Sequence, residues 1–287
     1  MKTFALSLYL LPVLMFTGCH LFDSLRSKKE VLTEWDVPYA TDSIKEHRLD
    51  LFLPAGRSSF PVVVFVHGGF WKNQDRRYYR VFTGLYSNIG FALAKRGIGS
   101  AIISYRLFPD VKIEGQLEDV KTALAWTREN ISSRGGDPDH LFLMGHSSGG
   151  HIASLLCSDL EMTGGKEIIA GCIGISPILE LREMEKEKGD EFNASTTYPF
   201  FGQGRLDEFS PMGRMNRLRT PALFLFGDRD YPFIRQSADS TILKSNPGIQ
   251  SFVLEGYDHA DMVLKIGTDQ DAITSKIAEF ILSQASR

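Results

Sequence analysis

The chain has 287 residues, of which 43% are hydrophobic and 23% charged, and its formal net charge is -3. A length of this kind suits one large α/β domain or two small ones. The near-balanced charge lacks the basic footprint of a nucleic-acid binder and the block of like charge of an acidic tail.

The chain opens with Met1 and Lys2 and an apolar run from Phe4 to Phe16, interrupted by Ser7 and Pro12. The run is too short to span a membrane as a helix and matches the apolar region of a secretory signal. It ends in Phe16-Thr17-Gly18-Cys19, small residues before a cysteine, which resembles the lipobox of bacterial lipoproteins. That resemblance implies a signal peptide over residues 1–18, lipidation at Cys19, and an exported protein held on a bacterial membrane at its periplasmic or surface face. A cleaved secretory peptide and an uncleaved apolar anchor are the alternatives. Residues 19–34 read as a polar tether, and 35–287 as the catalytic domain. Cys157 and Cys172 lie among apolar residues and read as core thiols. No CxxC pattern marks a zinc or redox site.

Beyond the tether, strands and helices alternate. His47–Leu53 alternates polar and apolar residues up to Pro54, which predicts a strand solvated on one face. Pro61–Val66 is an unbroken β-branched run, the pattern of a parallel strand covered on both faces. Tyr78–Lys95 has a helical pattern closed by Gly97, and Ser100–Ser104 reads as a buried strand. Leu117, Val120, Leu124 and Ile131 recur at helical spacing. Strands follow at His140–Met144, Ile168–Ile175, Ala222–Phe226 and Ser251–Leu254, with a closing helix at Ala272–Leu282. This alternation predicts an α/β fold with a mostly parallel sheet covered on both faces. Its ligands should bind in the turns at the carboxyl ends of the strands. Leu179–Asp207, just before the strand at Ala222, breaks the alternation as a small insertion: a charge run followed by Tyr198, Phe200 and Phe201. It reads either as a solvated surface segment or as a lid whose aromatic end lines a pocket.

Gly145-His146-Ser147-Ser148-Gly149 fits G-x-S-x-G between a strand and a helix of small residues. A serine there must sit on a sharp, strained turn, so its flanks must lack bulk. His67-Gly68-Gly69-Phe70-Trp71 follows the valine-rich strand, where glycines let backbone N–H groups turn toward a developing oxyanion. The expected donors are the N–H groups near Gly69 and Phe70, together with that of Ser148. A Ser–acid–His order along the chain leaves one candidate base. Of the seven histidines, five precede Ser147, and His151 follows it before an acid can intervene, so His259 remains. Asp228 and Asp230, in the turn after the strand Ala222–Phe226, are both candidate acids. Arg229 between them offers Asp228 a plain surface ion pair instead.

The HGGxW stretch His67–Trp71, together with Leu49–Pro54, Ser104–Leu107 and Gly136–Asp139, resembles one branch of the α/β-hydrolases. That branch holds kynurenine formamidases, isoprenylcysteine methylesterase-like proteins and bacterial feruloyl-esterase-like proteins. The likeness runs from about Val37 to Phe280. It implies the α/β-hydrolase fold, a Ser147–Asp230–His259 triad and an oxyanion loop at Gly69 and Phe70. The G-x-x-D spacing before a proline favours Asp230 over Asp228. The function implied is a cofactor-free, metal-free serine esterase acting on small carboxylic esters. An arylformamidase using the same residues, or a non-catalytic binder on this scaffold, are the alternatives. The expected partners are a small-molecule ester and, through the lipid anchor, a membrane, with no nucleic acid. The oligomeric state is left open. Phe70 and Trp71, directly after the glycines, are expected to crowd the acyl side of the pocket.

Overall fold

The computed structural model describes residues 30–78, 84–158 and 168–286. Eight strands form one sheet: β1 (Val31–Pro38), β2 (Arg48–Pro54), β3 (Phe60–Val66), β4 (Gly99–Ile103), β5 (Gly136–His146), β6 (Gly171–Ile175), β7 (Ala222–Gly227) and β8 (Ile249–Leu254). Their spatial order is β1-β2-β4-β3-β5-β6-β7-β8. β1 and β2 pair antiparallel, as do β2 and β4, and every pairing from β4 to β8 is parallel. Among the described residues the α-helices are α1 (Ser87–Lys95), α2 (Ile113–Asn130), α3 (Ser148–Ser158), α4 (Leu181–Phe192), α5 (Tyr198–Phe201), α6 (Pro232–Ala238), α7 (Thr241–Ser245), α8 (Asp261–Leu264) and α9 (Thr274–Ala285). Among the described residues no helix is long and apolar enough to cross a membrane.

The unbroken apolar strands follow from burial on both sides. Val62, Val64, Val66, Leu141 and Leu143 point into one core with α2, α3 and the insertion. Their chain neighbours Val63, Phe65, Phe142 and Met144 point into a second core with α1 and α9. This is the two-residue alternation of a pleated strand with no solvated face.

The chain departs from its sequence pattern at three places. β2 is buried on both faces rather than one. Asp50, the residue that suggested a wet side, is buried and accepts from Arg76 Nε at 3.2 Å and Arg77 Nε at 2.7 Å. An ion pair thus replaces the expected water. Val31–Glu34, assigned to the tether, instead begin β1 and pair with Leu51–Pro54 of β2. As a sheet-edge strand with mixed burial, β1 carries too weak an alternation to show in sequence. Of the helix expected over Tyr78–Lys95, Ser87–Lys95 is helical, while Tyr78 and residues 84–86, with positive φ at Gly84 and Tyr86, are not. Residues 79–83 of that span lie outside the described residues, as do the expected signal peptide at 1–18, Cys19 and the expected tether up to residue 29.

Register sets the position of the site. Val66 lies opposite Gly145, His146 opposite Ile175, Ile175 opposite Leu225, and Gly227 opposite Leu254. The carboxyl ends of β3, β5, β6, β7 and β8 therefore finish along one edge. The turns leaving that edge carry His67–Trp71, Ser147, Ser176, Asp228–Tyr231 and Tyr257–His259.

Candidate active site

Ser147 stands between β5 and α3 with φ at 55°, in the left-handed region. A side-chain-bearing residue held there stores on the order of 1–3 kcal/mol and persists only where its surroundings over-determine it. Here the Ser147 N–H donates to Ile175 O at 3.0 Å, and Ser147 O accepts from His151 N at 2.9 Å. A Cβ on Gly145 would lie 2.3 Å from Gly149 O, and one on Gly149 would lie 2.2 Å from Val66 O. The two outer glycines are therefore sterically required, as the G-x-S-x-G spacing implies.

The loop after β3 takes positive φ at three consecutive residues: Gly69 (110°), Phe70 (51°) and Trp71 (62°). Lys72 N and Asn73 N close it on Gly69 O at 3.2 and 3.0 Å. It is latched to the elbow through Trp71. The Trp71 N–H donates to Ser148 Oγ at 3.3 Å, and its indole N–H to His151 Nδ1 at 3.3 Å. Its carbonyl accepts from Gln116 Nε2 at 2.7 Å and from Phe108 N at 3.0 Å. The Tyr105 hydroxyl donates to His67 O at 2.9 Å from behind. With these bonds placed, the N–H groups of Gly69 and Phe70 have no acceptor among the described residues. Ser148 N–H lies in the first turn of α3, where helical amides lack intrahelical partners. Gly68 packs so close to the elbow that a Cβ would come within 3.1 Å of Ser147 Cβ.

His259 lies in the turn after β8 and is about one-fifth exposed. Its Nδ1 is 2.8 Å from Asp230 Oδ1. The same oxygen accepts from Tyr231 N at 2.7 Å, and Asp230 Oδ2 accepts a short hydrogen bond from the Ser176 hydroxyl. Burial alone would raise the Asp230 pKa, but the His259, Ser176 and Tyr231 donors outweigh it and hold the carboxyl below its usual range. Ionised Asp230 accepts only, so neutral His259 carries its proton on Nδ1 and a lone pair on Nε2. No hydrogen bond joins Ser147 to His259 among the described residues. His146 links the two turns: it precedes Ser147, its ring centroid lies 4.7 Å from that of His259, and its Nε2 donates to His259 O at 3.1 Å.

Asp228 does other work. It accepts from Gly256 N at 2.8 Å and donates its own N–H to Leu254 O at 3.0 Å, pinning the end of β8 to the turn after β7. Arg229 does not pair with it; the guanidinium reaches Gly256 O and lies 3.8 Å from Asp261. Trp71 is fully buried, stacked on Phe200 and edge-on to Phe201. The aromatic end of the insertion is therefore core packing rather than pocket wall, and Trp71 leaves the crowding of the site to Phe70. Residues the sequence did not flag are Ser176, Tyr105, Gln116 and Phe192, whose ring lies 5.5 Å from that of Phe70. The position of Ser176, immediately after a buried strand of the sheet, was the one available signal. Among the described residues no group of three His, Cys, Asp or Glu side chains is placed to hold a metal ion.

Strand order, the strained serine between β5 and α3, and the Asp–His pair on the same edge define an α/β-hydrolase. A family model described as BD-FAE matches residues 49–239, and the chain belongs to that family. It is 32% identical over 246 residues to a probable isoprenylcysteine alpha-carbonyl methylesterase of Oryza sativa subsp. japonica, covering 76% of this chain and 55% of the relative. To an isoprenylcysteine alpha-carbonyl methylesterase of Arabidopsis thaliana it is 30% identical over 247 residues, with the same coverage, 76% and 55%. The chain thus spans little more than half the length of these relatives. Esterase B of Lactobacillus rhamnosis superposes with a TM-score of 0.75 at 20% identity, over 96% of this chain and 95% of that one.

Three histidines around the elbow are buried. Burial lowers His67 and His151 to a pKa of about 4 and His146 to about 3, from an ordinary 6.5. The folded state keeps them neutral, whereas the unfolded chain protonates below pH 6.5, so stability is whole above that value and is lost as pH falls through it. Asp230 acts only below the carboxylate range. At pH 5.5 each histidine costs about 1.4 kcal/mol, or about 4 kcal/mol for the three. Urea unfolding at pH 8 and pH 5.5 should show this loss; equal stabilities would contradict the neutral, buried assignment.

Proposed function

We propose that the chain is a serine hydrolase of carboxylic esters, with Ser147 as nucleophile, His259 as base and Asp230 as the acid that orients it. The observation that carries this reading is the His259–Asp230 hydrogen bond at the sheet edge where Ser147 is held at positive φ. Ser147 Oγ attacks the ester carbonyl carbon while His259 Nε2 takes its proton. The carbonyl π electrons move to oxygen, and that oxyanion faces the N–H groups of Gly69, Phe70 and Ser148. As the C–O bond to the alcohol breaks, His259 returns the proton to the leaving oxygen. Water, deprotonated by the same nitrogen, then attacks the acyl-serine; the bond to Ser147 Oγ breaks, His259 returns the proton to that oxygen, and the acid is released. Asp230 stays ionised throughout and stabilises the imidazolium. Membership of the BD-FAE family and the methylesterase names of the relatives support ester chemistry.

Ser147→Ala and His259→Ala should each lower kcat by a factor on the order of 10⁴ or more with the fold intact. Asp230→Asn should cost far more than Asp228→Asn, because only Asp230 touches His259. Turnover near the wild-type level in either alanine variant, or a reversed order for the aspartates, would sink the assignment.

Half-buried Phe70, packed against Phe192 and 6.4 Å from the Tyr231 ring, narrows the approach to the oxyanion loop. Short acyl groups should therefore be preferred. Across acetyl, butyryl, octanoyl and palmitoyl p-nitrophenyl esters, kcat/KM should peak at acetyl or butyryl; a maximum at octanoyl or longer refutes the narrow site. N-formylkynurenine outperforming every ester would move the assignment to an arylformamidase, and absence of fluorophosphonate labelling would move it to a non-catalytic binder.

We propose further that the chain is exported and lipidated at Cys19. Its support is the apolar run Phe4–Phe16 ending in Thr17-Gly18-Cys19. Cys19→Ala should release the protein from membranes or block its processing, since stable anchoring needs more than one acyl chain. A variant still membrane-bound with unchanged gel mobility would favour an uncleaved apolar anchor.

A further inference from the structure

The insertion between β6 and β7 places a cation at the mouth of the candidate site. α4 breaks at Gly189, where φ is 74° and ψ 173°, directly after Lys188. Lys188 Nζ lies 4.3 Å from the ring centroid of Tyr231, 4.8 Å from that of Phe70 and 5.4 Å from that of Phe233. Two of these rings belong to the reaction centre. Phe70 lies in the oxyanion loop, and the Tyr231 ring is 4.8 Å from that of His259. Lys188 therefore bridges the two walls of the cleft, one ring away from the base and one from the loop.

No carboxylate forms an ion pair with Lys188 among the described residues. The adjacent Glu187 accepts the Phe233 N–H at 3.1 Å and favours the Lys188 charge only at a distance. Partial burial outweighs that help and pulls the Lys188 pKa below the ordinary lysine value. The ammonium has lost part of its water and gained ring faces, which attract a cation but do not neutralise it. A second half-buried cation stands on the same rim. Lys72 Nζ donates to Thr196 Oγ1 at 2.7 Å and lies 5.1 Å from the Phe192 ring. A substrate's own ammonium would find this aromatic cage already filled. An anion would find an under-compensated charge beside the rings of Phe70 and Tyr231.

We infer that Lys188 is a specificity-determining residue that selects esters carrying an anionic group, a carboxylate or phosphate, joined to the ester carbonyl through a short chain or a single ring. The inference rests on the ester-hydrolase reading and adds the substrate class. The ester end would lie between Ser147 and the oxyanion loop, the linking atoms across the outer edges of the touching Phe70 and Tyr231 rings, and the anion on Lys188 Nζ.

The test uses two matched pairs, one for each side of the ester. Mono-4-nitrophenyl adipate against 4-nitrophenyl hexanoate places the anion on the acyl side. 3-Carboxy-4-nitrophenyl butyrate against 4-nitrophenyl butyrate places it on the leaving group. Within at least one pair, the ratio of kcat/KM for the anionic to the neutral ester should fall about tenfold in Lys188→Met. Lys188→Arg should keep most of the wild-type ratio. A ratio unchanged by Lys188→Met in both pairs overturns the inference while leaving the ester-hydrolase reading intact. Binding of phenylphosphonate, followed by calorimetry, gives a readout free of turnover and should weaken about tenfold in Lys188→Met. If no ester is turned over but this binding still depends on Lys188, the ester reading fails and the anion site stands. If phenylphosphonate binds both proteins equally, the anion site falls.

Discussion

The contact between the loop after β3 and the elbow after β5 is the constraint on which the rest of the site depends. Two strained segments, Gly69–Trp71 and Ser147, would each relax if left alone. They hold one another instead. Gly149 lets the elbow approach within a Cβ's width of Val66 O and His67 O, and Gly68 lets the loop approach Ser147. Ser148 Oγ and His151 then tie Trp71 into the helix that the elbow starts. Strain stored at the serine and strain stored at the amide donors are thus discharged against the same side chain. The N–H groups of Gly69 and Phe70 are thus fixed in direction before any ligand arrives, which is the preorganisation that the oxyanion role proposed for them requires.

The histidines divide into two kinds by burial. His151 is neutral because it must both accept from the Trp71 indole and donate to Phe209 O at 2.8 Å, which an imidazolium could not do. His146 spends its one proton on the His259 carbonyl and leaves Nδ1 buried without a partner. These rings are structural spacers whose polarity is almost fully used. His259 differs in being partly exposed and bonded at one nitrogen to a carboxylate that three donors keep ionised. A single sheet edge therefore holds buried histidines whose protons are committed to backbone carbonyls beside a partly exposed one paired with a carboxylate.

Much of this was legible in the sequence because it rests on local, steric requirements. The glycines around Ser147 and the pair before Phe70 mark positions where a Cβ does not fit, and no distant partner is needed to read them. The doubly covered strands are legible for the same reason: a run such as Val62–Val66 has one use. What stayed hidden depends on long-range pairing. Asp50 resembled a solvent-facing residue because its partners Arg76 and Arg77 lie 26 and 27 positions on. The spacing before a proline favoured Asp230 over Asp228, but its contact with a histidine 29 positions away shows only in the fold, and Ser176 became visible only once the sheet had set it beside Asp230. β1 escaped notice because an edge strand with mixed burial has no period to display.

The insertion shows why a segment without a recognisable pattern can still govern a site. It grips the loop after β3 from both sides. Phe200 and Phe201 pack beneath Trp71 in the core, while Phe192 packs against Phe70 at the mouth. Between these two contacts the chain runs through a π-helical turn at Asn193–Thr197, where Thr197 Oγ1 donates to Asn193 Oδ1 at 2.9 Å. The buried pair fixes the distance of the insertion from the sheet, and the half-buried pair fixes where α4 meets the cleft. A change of side-chain volume at Phe200 or Phe201 would move Trp71, and Trp71 carries the bonds that aim the amides of Gly69 and Phe70. The rim around Phe70 and the amides of Gly69 and Phe70 beneath it are therefore coupled through one tryptophan, and the charged face of α4 can vary at lower cost than Phe200 and Phe201.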